Sequence, residues 1–252
     1  RALEQHRADY GVAVVMEVST GEIKAISNLS RNSNGDYFER YNYAVGSQGS
    51  REPGSTFKLA SMIALLEETG MSLDDTVDTG SGSYKFYNEI MRDHKPGGYG
   101  VLTLQEVFEK SSNIGTAKLI TNEFGQHPEK YIQYLKEIGL SQPLGFQMIG
   151  EGKPYIKTPE DSTWSGTTLP WMSHGYELKM TPLQTLSLYN AVANNGKMIQ
   201  PMIVKSIKKG NKTVEQYKTK VLNEKICSKT TLKKLQVMLE GVVERGTAEN
   251  IN

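Results

Sequence analysis

The chain has 252 residues, enough for one large domain or two small ones, and its 37% hydrophobic content with nine prolines excludes wholesale disorder. Its 29 basic and 28 acidic residues nearly cancel, so no charge field marks it for nucleic acid, and the one basic stretch, "KSIKKGNK" at 205–212, reads as a solvated hairpin. A lone cysteine, Cys227, excludes an intrachain disulfide and cysteine-rich metal sites, while His6, His94, His127 and His174 lack metal-ligand spacing.

"GVAVVMEV" at 11–18, "STGE" at 19–22 and "IKAISN" at 23–28 read as strand, turn and strand, a β-hairpin. The polar, turn-rich stretch from 27 to 50 reads as a surface connection. Pro53-Gly54 then opens a helix through Phe57, Leu59, Ala60, Ile63, Ala64 and Leu66 to Gly70, apolar on most sides and so expected to be buried. Residues 71–102 show no period and should be loop with short elements. Thr103 caps "LQEVFEK", "SSN" at 111–113 breaks the pattern, and helices follow over "IGTAKLITNEF" and 128–138. Thr181-Pro182 starts another helix ending at Gly196. Residues 198–219 suggest a hairpin turning at "KGNK", and 229–244 a last amphipathic helix. The mixture is α+β. In chain order it divides into an opening hairpin at 1–30, a mainly helical part at 31–197, and a hairpin with a helix at 198–252.

No phosphate-binding loop, dinucleotide fingerprint or G-x-S-x-G elbow occurs. Ser55-Thr56-Phe57-Lys58 matches S-x-x-K, but so does Ser206-Ile207-Lys208-Lys209, and spacing alone leaves Ser55 open between helix cap and nucleophile. Placement favours chemistry. Residues three apart on a helix share a face, so Lys58 can reach the Ser55 hydroxyl. An apolar helix start disfavours the ammonium form, and a neutral lysine can take a serine proton. Ser111-Ser112-Asn113 is an S-x-N between two helices, again either a cap or chemistry; Ser30-Arg31-Asn32 is a decoy without an apolar frame. A hydroxyl at Ser111 can relay a proton, and the Asn113 amide can hold a peptide backbone. Trp164 and Trp171 remain open between groove and core.

The two motifs, in this order, resemble the first two signatures of the penicillin-recognising serine transferases. "VMEVSTGEIKAI", "EPGSTFK", "KSSNIGTAKL", "SHGYELKMTPLQTLSLYNAVANNGKMIQP" and "MLEGVVERGTA" resemble successive segments of class B penicillin-binding proteins, the division-specific transpeptidases most of all. The family's third motif, Lys-Ser/Thr-Gly, is absent from these residues. The resemblance therefore implies a penicillin-binding/β-lactamase-like α+β fold, an antiparallel sheet with a helical subdomain, incomplete at its C-terminus. It also implies a membrane anchor upstream of Arg1, and a fragment that is inactive on its own.

What the resemblance implies for function is a D,D-transpeptidase. Ser55 attacks the penultimate D-alanine carbonyl of a peptidoglycan stem peptide, with Lys58 as base, Ser111 as proton relay and Asn113 aligning the substrate. The same serine is acylated by penicillin and other β-lactams. No metal or organic cofactor is implied, and no nucleic acid. The implied partners are a membrane glycan polymerase and division proteins, and the implied location is the extracytoplasmic side of the cell membrane. Three rival readings stand beside it: a D,D-carboxypeptidase, a β-lactam-binding sensor and a degenerate cell-wall scaffold, the last of which is expected to lose Ser55 or Lys58. The sensors carry S-x-V where this chain has Asn113. A β-lactam hydrolase lacks its water-activating segments here.

Overall fold

In the computed structural model, which describes residues 1–251, the opening run forms the expected antiparallel hairpin, Tyr10–Met16 on Ile23–Arg31. Alternation along a strand puts successive side chains on opposite faces. Val12, Val14 and Ile26 accordingly share a face, and the register shift that pairs Met16 with Ile23 brings Ile23 to it, so the four pack against a core of Ala44, Val45, Leu144, Phe146 and Leu183.

The reading of 27–50 as a surface connection is corrected by the structure. The second strand runs on to Arg31, and Tyr37–Phe38 pairs with it through Ser30↔Phe38 and Arg31↔Tyr37. A polar composition concealed a hairpin because its turn is built from polar groups: Asn32 Oδ1 accepts the N–H groups of Asn34 and Asp36, and Gly35 adopts φ 94°. Further on, Ala44 and Val45 are core residues, and the Ala44 N–H donates to the buried Asn28 Oδ1 at 2.8 Å.

Contacts divide the chain into two units. One comprises Arg1–Arg51, Gly139–Tyr155 and Lys179–Ile226; the other comprises Glu52–Ile138, Ile156–Leu178 and the chain from Cys227 onward. Each unit thus draws on three separated stretches, whereas the sequence segments 1–30, 31–197 and 198–252 run in chain order. The last of those segments ends at Asn252, outside the described residues.

The first unit contains the opening sheet and the helix Pro182–Ala193, whose start is a capping box between Thr181 and Gln184 with proline at its first turn. Its later hairpin is narrower than expected. Ser206–Lys209 pairs with Lys212–Gln216, while Met198–Ile199 pairs instead with Val221–Asn223.

The second unit is built around the helix Lys58–Thr69. Every residue from Lys58 to Leu66 is buried, and the helix packs against Asn113–Phe124, Pro128–Ile138 and Lys229–Glu244. It ends where expected, at Gly70 in the left-handed region with its N–H on Leu66 O. Residues 71–102 hold short strands, with Thr76–Asp78 on Val101–Thr103 and Ser83–Phe86 on Glu89–Arg92. Thr103 and Glu106 form a capping box for Leu104–Glu109. Among the described residues no helix is long and apolar enough to cross a membrane.

At the end of the 229–244 helix, Arg245 donates to both oxygens of the buried Glu109 carboxylate, at 2.8 and 3.1 Å. The carboxylate lies directly on Gly241, where a Cβ would sit 1.8 Å from Oε1. Helix propensity alone favours alanine at Gly241 by about 1 kcal/mol. The Gly241→Ala variant is expected to do the reverse and lose about 2–3 kcal/mol through overpacking, read from the urea midpoint. A stabilised variant would refute this packing account.

Candidate active site

Ser55 lies in a single 3-10 turn, Gly54–Phe57, that leads into the 58–69 helix. No side-chain bond from Ser55 caps the helix, and the residue is exposed. The capping role left open by the sequence is therefore not the one it plays. Residues three apart eclipse in a 3-10 turn, which puts Ser55 and Lys58 on one side.

Lys58 is only 1% exposed. Its Nζ donates to Ser111 O at 2.6 Å, Ser111 Oγ at 3.0 Å and Asn113 Oδ1 at 2.7 Å. These three acceptors satisfy an ammonium group completely, and no hydrogen bond joins Nζ to Ser55. Burial pushes the Lys58 pKa down to about 7, with the negative charge of Asp93 acting in the opposite direction.

The S-x-N segment is held by its own helix start. Ser111 has φ 53°, a strained left-handed conformation for serine, which allows both its carbonyl and its hydroxyl to face Lys58. Ser112, fully buried, caps the 113–124 helix by accepting the Gly115 N–H and donates to Asp93 Oδ2 at 2.8 Å. Asp93 Oδ1 accepts the Ile114 N–H at 3.1 Å. Asn113 then has both ends of its amide engaged: Oδ1 on Lys58, and Nδ2 donating to Arg92 O at 3.1 Å.

A pocket of about 290 Å³ opens over this cluster, lined by Ser55, Arg92, Asn113, Trp171, His174 and Tyr176, with Ile90 and Met91. Of the two tryptophans left open, Trp171 lines it and meets the Phe86 ring edge-on at 6.4 Å. The 168–178 segment is fixed to the helix core by Ser61, whose Oγ donates to Ser173 O at 2.6 Å and lies 2.7 Å from the Tyr131 hydroxyl. It is fixed to the nucleophile turn by Gly175, whose carbonyl accepts the Gly54 N–H at 3.1 Å.

The structure thus gathers Ser55, Lys58, Ser111 and Asn113 into one site. Sequence reasoning missed Asp93, Arg92 and His174. Asp93 stands in a stretch without periodicity, so nothing local marked it. His174 was visible only as a histidine without ligand spacing, although it stands inside one of the family-like segments.

The family model described as the penicillin binding protein transpeptidase domain matches residues 11–252. Penicillin-binding protein PbpB of Mycobacterium tuberculosis is 31% identical over 92% of this chain and 34% of its own length. The probable peptidoglycan D,D-transpeptidase FtsI of Caulobacter vibrioides is 30% identical over 96% of this chain and 39% of its own length. The chain therefore spans between a third and two fifths of these curated relatives. The crystal structure of penicillin-binding protein 3 from Mycobacterium tuberculosis complexed with aztreonam superposes with a TM-score of 0.83 at 28% identity, covering 100% of this chain and 57% of that one. The expected α+β fold class is confirmed, and the matches of sequence and fold show that the chain belongs to the penicillin-binding protein transpeptidase-domain family.

Proposed function

We propose that this chain carries the nucleophile and the proton-handling residues of a serine D,D-transpeptidase that cross-links peptidoglycan stem peptides. One observation carries the reading: a buried lysine with its pKa near 7, bonded to Ser111 and Asn113, stands one 3-10 turn from an exposed serine that lines a pocket with Asn113. The name of the Caulobacter relative and the aztreonam in the mycobacterial structure support it.

In this reading Ser55 Oγ attacks the carbonyl carbon of the penultimate D-alanine, and neutral Lys58 takes its proton. Taking that proton makes Nζ an ammonium again, which must pass a proton on through a partner able to accept one hydrogen and donate another. Ser111 Oγ is the only one of the three partners that can donate, which makes Ser111 the relay toward the leaving D-alanine nitrogen. Asn113 aligns the substrate backbone. The Ser55 N–H contributes to binding the developing oxyanion. An amine of a second stem peptide then takes the acyl group from Ser55, and a β-lactam acylates the same serine. The reading includes a membrane-anchored protein with its site on the extracytoplasmic side, working with a glycan polymerase and division proteins.

Intact-mass analysis of the full-length protein after exposure to a penicillin tests it. A covalent adduct is expected in the wild type and none in Ser55→Ala. A folded wild type that takes up no adduct would overturn the reading in favour of a non-catalytic scaffold.

A further inference from the structure

His174 is 6% exposed, lines the pocket with Ser55, and its Nε2 is buried without a hydrogen-bond partner. Lys58 and Asn113 beside it are engaged, Lys58 by three acceptors and the Asn113 amide at both ends. An unsatisfied buried ring nitrogen is costly, and it persists in a binding site when a ligand completes it. With its hydrogen on Nδ1, the neutral ring presents a lone pair at the unpartnered Nε2, the tautomer that a hydrogen-bond donor in this pocket selects.

We propose that His174 Nε2 is the acceptor-amine contact of this site, taking a hydrogen bond from the amine that resolves the Ser55 acyl-enzyme. The inference rests on the transpeptidase reading above. A primary amine brings two hydrogens to the reacting nitrogen. One is held by Nε2 and stays on nitrogen, which turns the nitrogen lone pair toward the acyl carbon. As the new N–C bond forms and the Ser55 Oγ–C bond breaks, the other hydrogen passes to Ser55 Oγ through Lys58 and Ser111. Burial, with the positive charge of Lys58 adding to it, pushes the His174 pKa down to about 3. The imidazole is therefore neutral and weakly basic at neutral pH: it orients the amine without taking its proton.

The experiment uses the full-length protein, an N-acyl-D-alanyl thioester as acyl donor and D-alanine as amine, and measures aminolysis product against hydrolysis product. In His174→Phe this ratio is expected to fall about tenfold at a given amine concentration, the loss of one substrate hydrogen bond. Both products come from the same acyl-enzyme, so the ratio is independent of the acylation rate, and His174→Gln, which offers an amide oxygen, should recover most of it. An unchanged ratio in folded His174→Phe overturns the inference, and so does a fall in acylation equal to the fall in aminolysis. A wild type that is acylated yet performs no aminolysis also overturns it, while leaving the Ser55 chemistry standing. A wild type that is never acylated removes the transpeptidase reading and the inference with it. A second readout needs no variant. The Nε2 15N resonance of His174 should shift when D-alanine is added to the penicilloyl-enzyme, and an unshifted resonance counts against the contact.

Discussion

Lys58→Ala should slow acylation of Ser55 by a penicillin about 10²–10⁴-fold, the usual contribution of a positioned general base. The reason is specific to the environment of this lysine. At 1% exposure Lys58 cannot be hydrated, and burial brings its pKa from 10.5 to about 7. Half of the population is then neutral near pH 7, where an exposed lysine is almost wholly charged. In the wild type the acylation rate should rise about tenfold per pH unit below pH 7 and level off above it. Lys58→Arg should not recover the rate, because a guanidinium does not give up its proton in this range. Asp93 opposes the downward shift, so Asp93→Asn should move the inflection to lower pH. A flat profile between pH 5 and 9 in the wild type would exclude Lys58 as the titrating base.

The same shift has a consequence for stability. The folded pKa lies below the unfolded value of 10.5, so the folded state binds fewer protons than the unfolded chain between about pH 7 and 10.5. Burial of the ammonium opposes folding in full below pH 7, and this opposition is relieved as pH rises through the window. The urea midpoint of the wild type relative to Lys58→Met should therefore increase from pH 7 toward pH 10. A relative midpoint that falls over this range would contradict the burial account.

Gly175→Ala should have the second large effect, with acylation slowed about 100-fold by displacement of the nucleophile turn. Gly175 has φ 93°, a conformation that disfavours any side chain, and a Cβ there would sit 1.9 Å from the Gly54 carbonyl oxygen. The oxygen is backbone and a Cβ is fixed rigidly to its own Cα, so no rotamer change can relieve the clash. Relief requires the 54–57 turn or the 173–176 segment to shift. These two segments carry Ser55 and His174. Stopped-flow acylation, together with a circular dichroism spectrum to show that the variant is folded, checks the effect. A folded Gly175→Ala protein acylated at the wild-type rate would mean that the close approach does not position Ser55.

Much of the local structure was legible in the residues themselves. Thr103 and Thr181 combine a capping hydroxyl with Glu106 or Gln184 three positions on, and both form capping boxes. The period of Tyr131, Leu135 and Ile138 marked the buried stripe of the Pro128–Ile138 helix. The stretch from 27 to 50 was misread because polar composition resembles exposure. Its Asx turn satisfies polar backbone groups internally, and Ala44 and Val45 join a core whose other members are distant in sequence.

For the site, the division has a clear physical cause. Ser55 with Lys58, and Ser111 with Asn113, are spacings within one or two turns of chain, so the covalent order alone brings each pair together, although Ser206 with Lys209 and Ser30 with Asn32 repeat both spacings. What joins Lys58 to Ser111 and Asn113 is a set of hydrogen bonds across more than 50 positions, and only packing of the 58–69 and 113–124 helices creates it. The lysine pKa, the Asp93 anchor and the unpartnered His174 nitrogen follow from the same packing, because desolvation and long-range charge are properties of a site's surroundings and not of its neighbours in the chain.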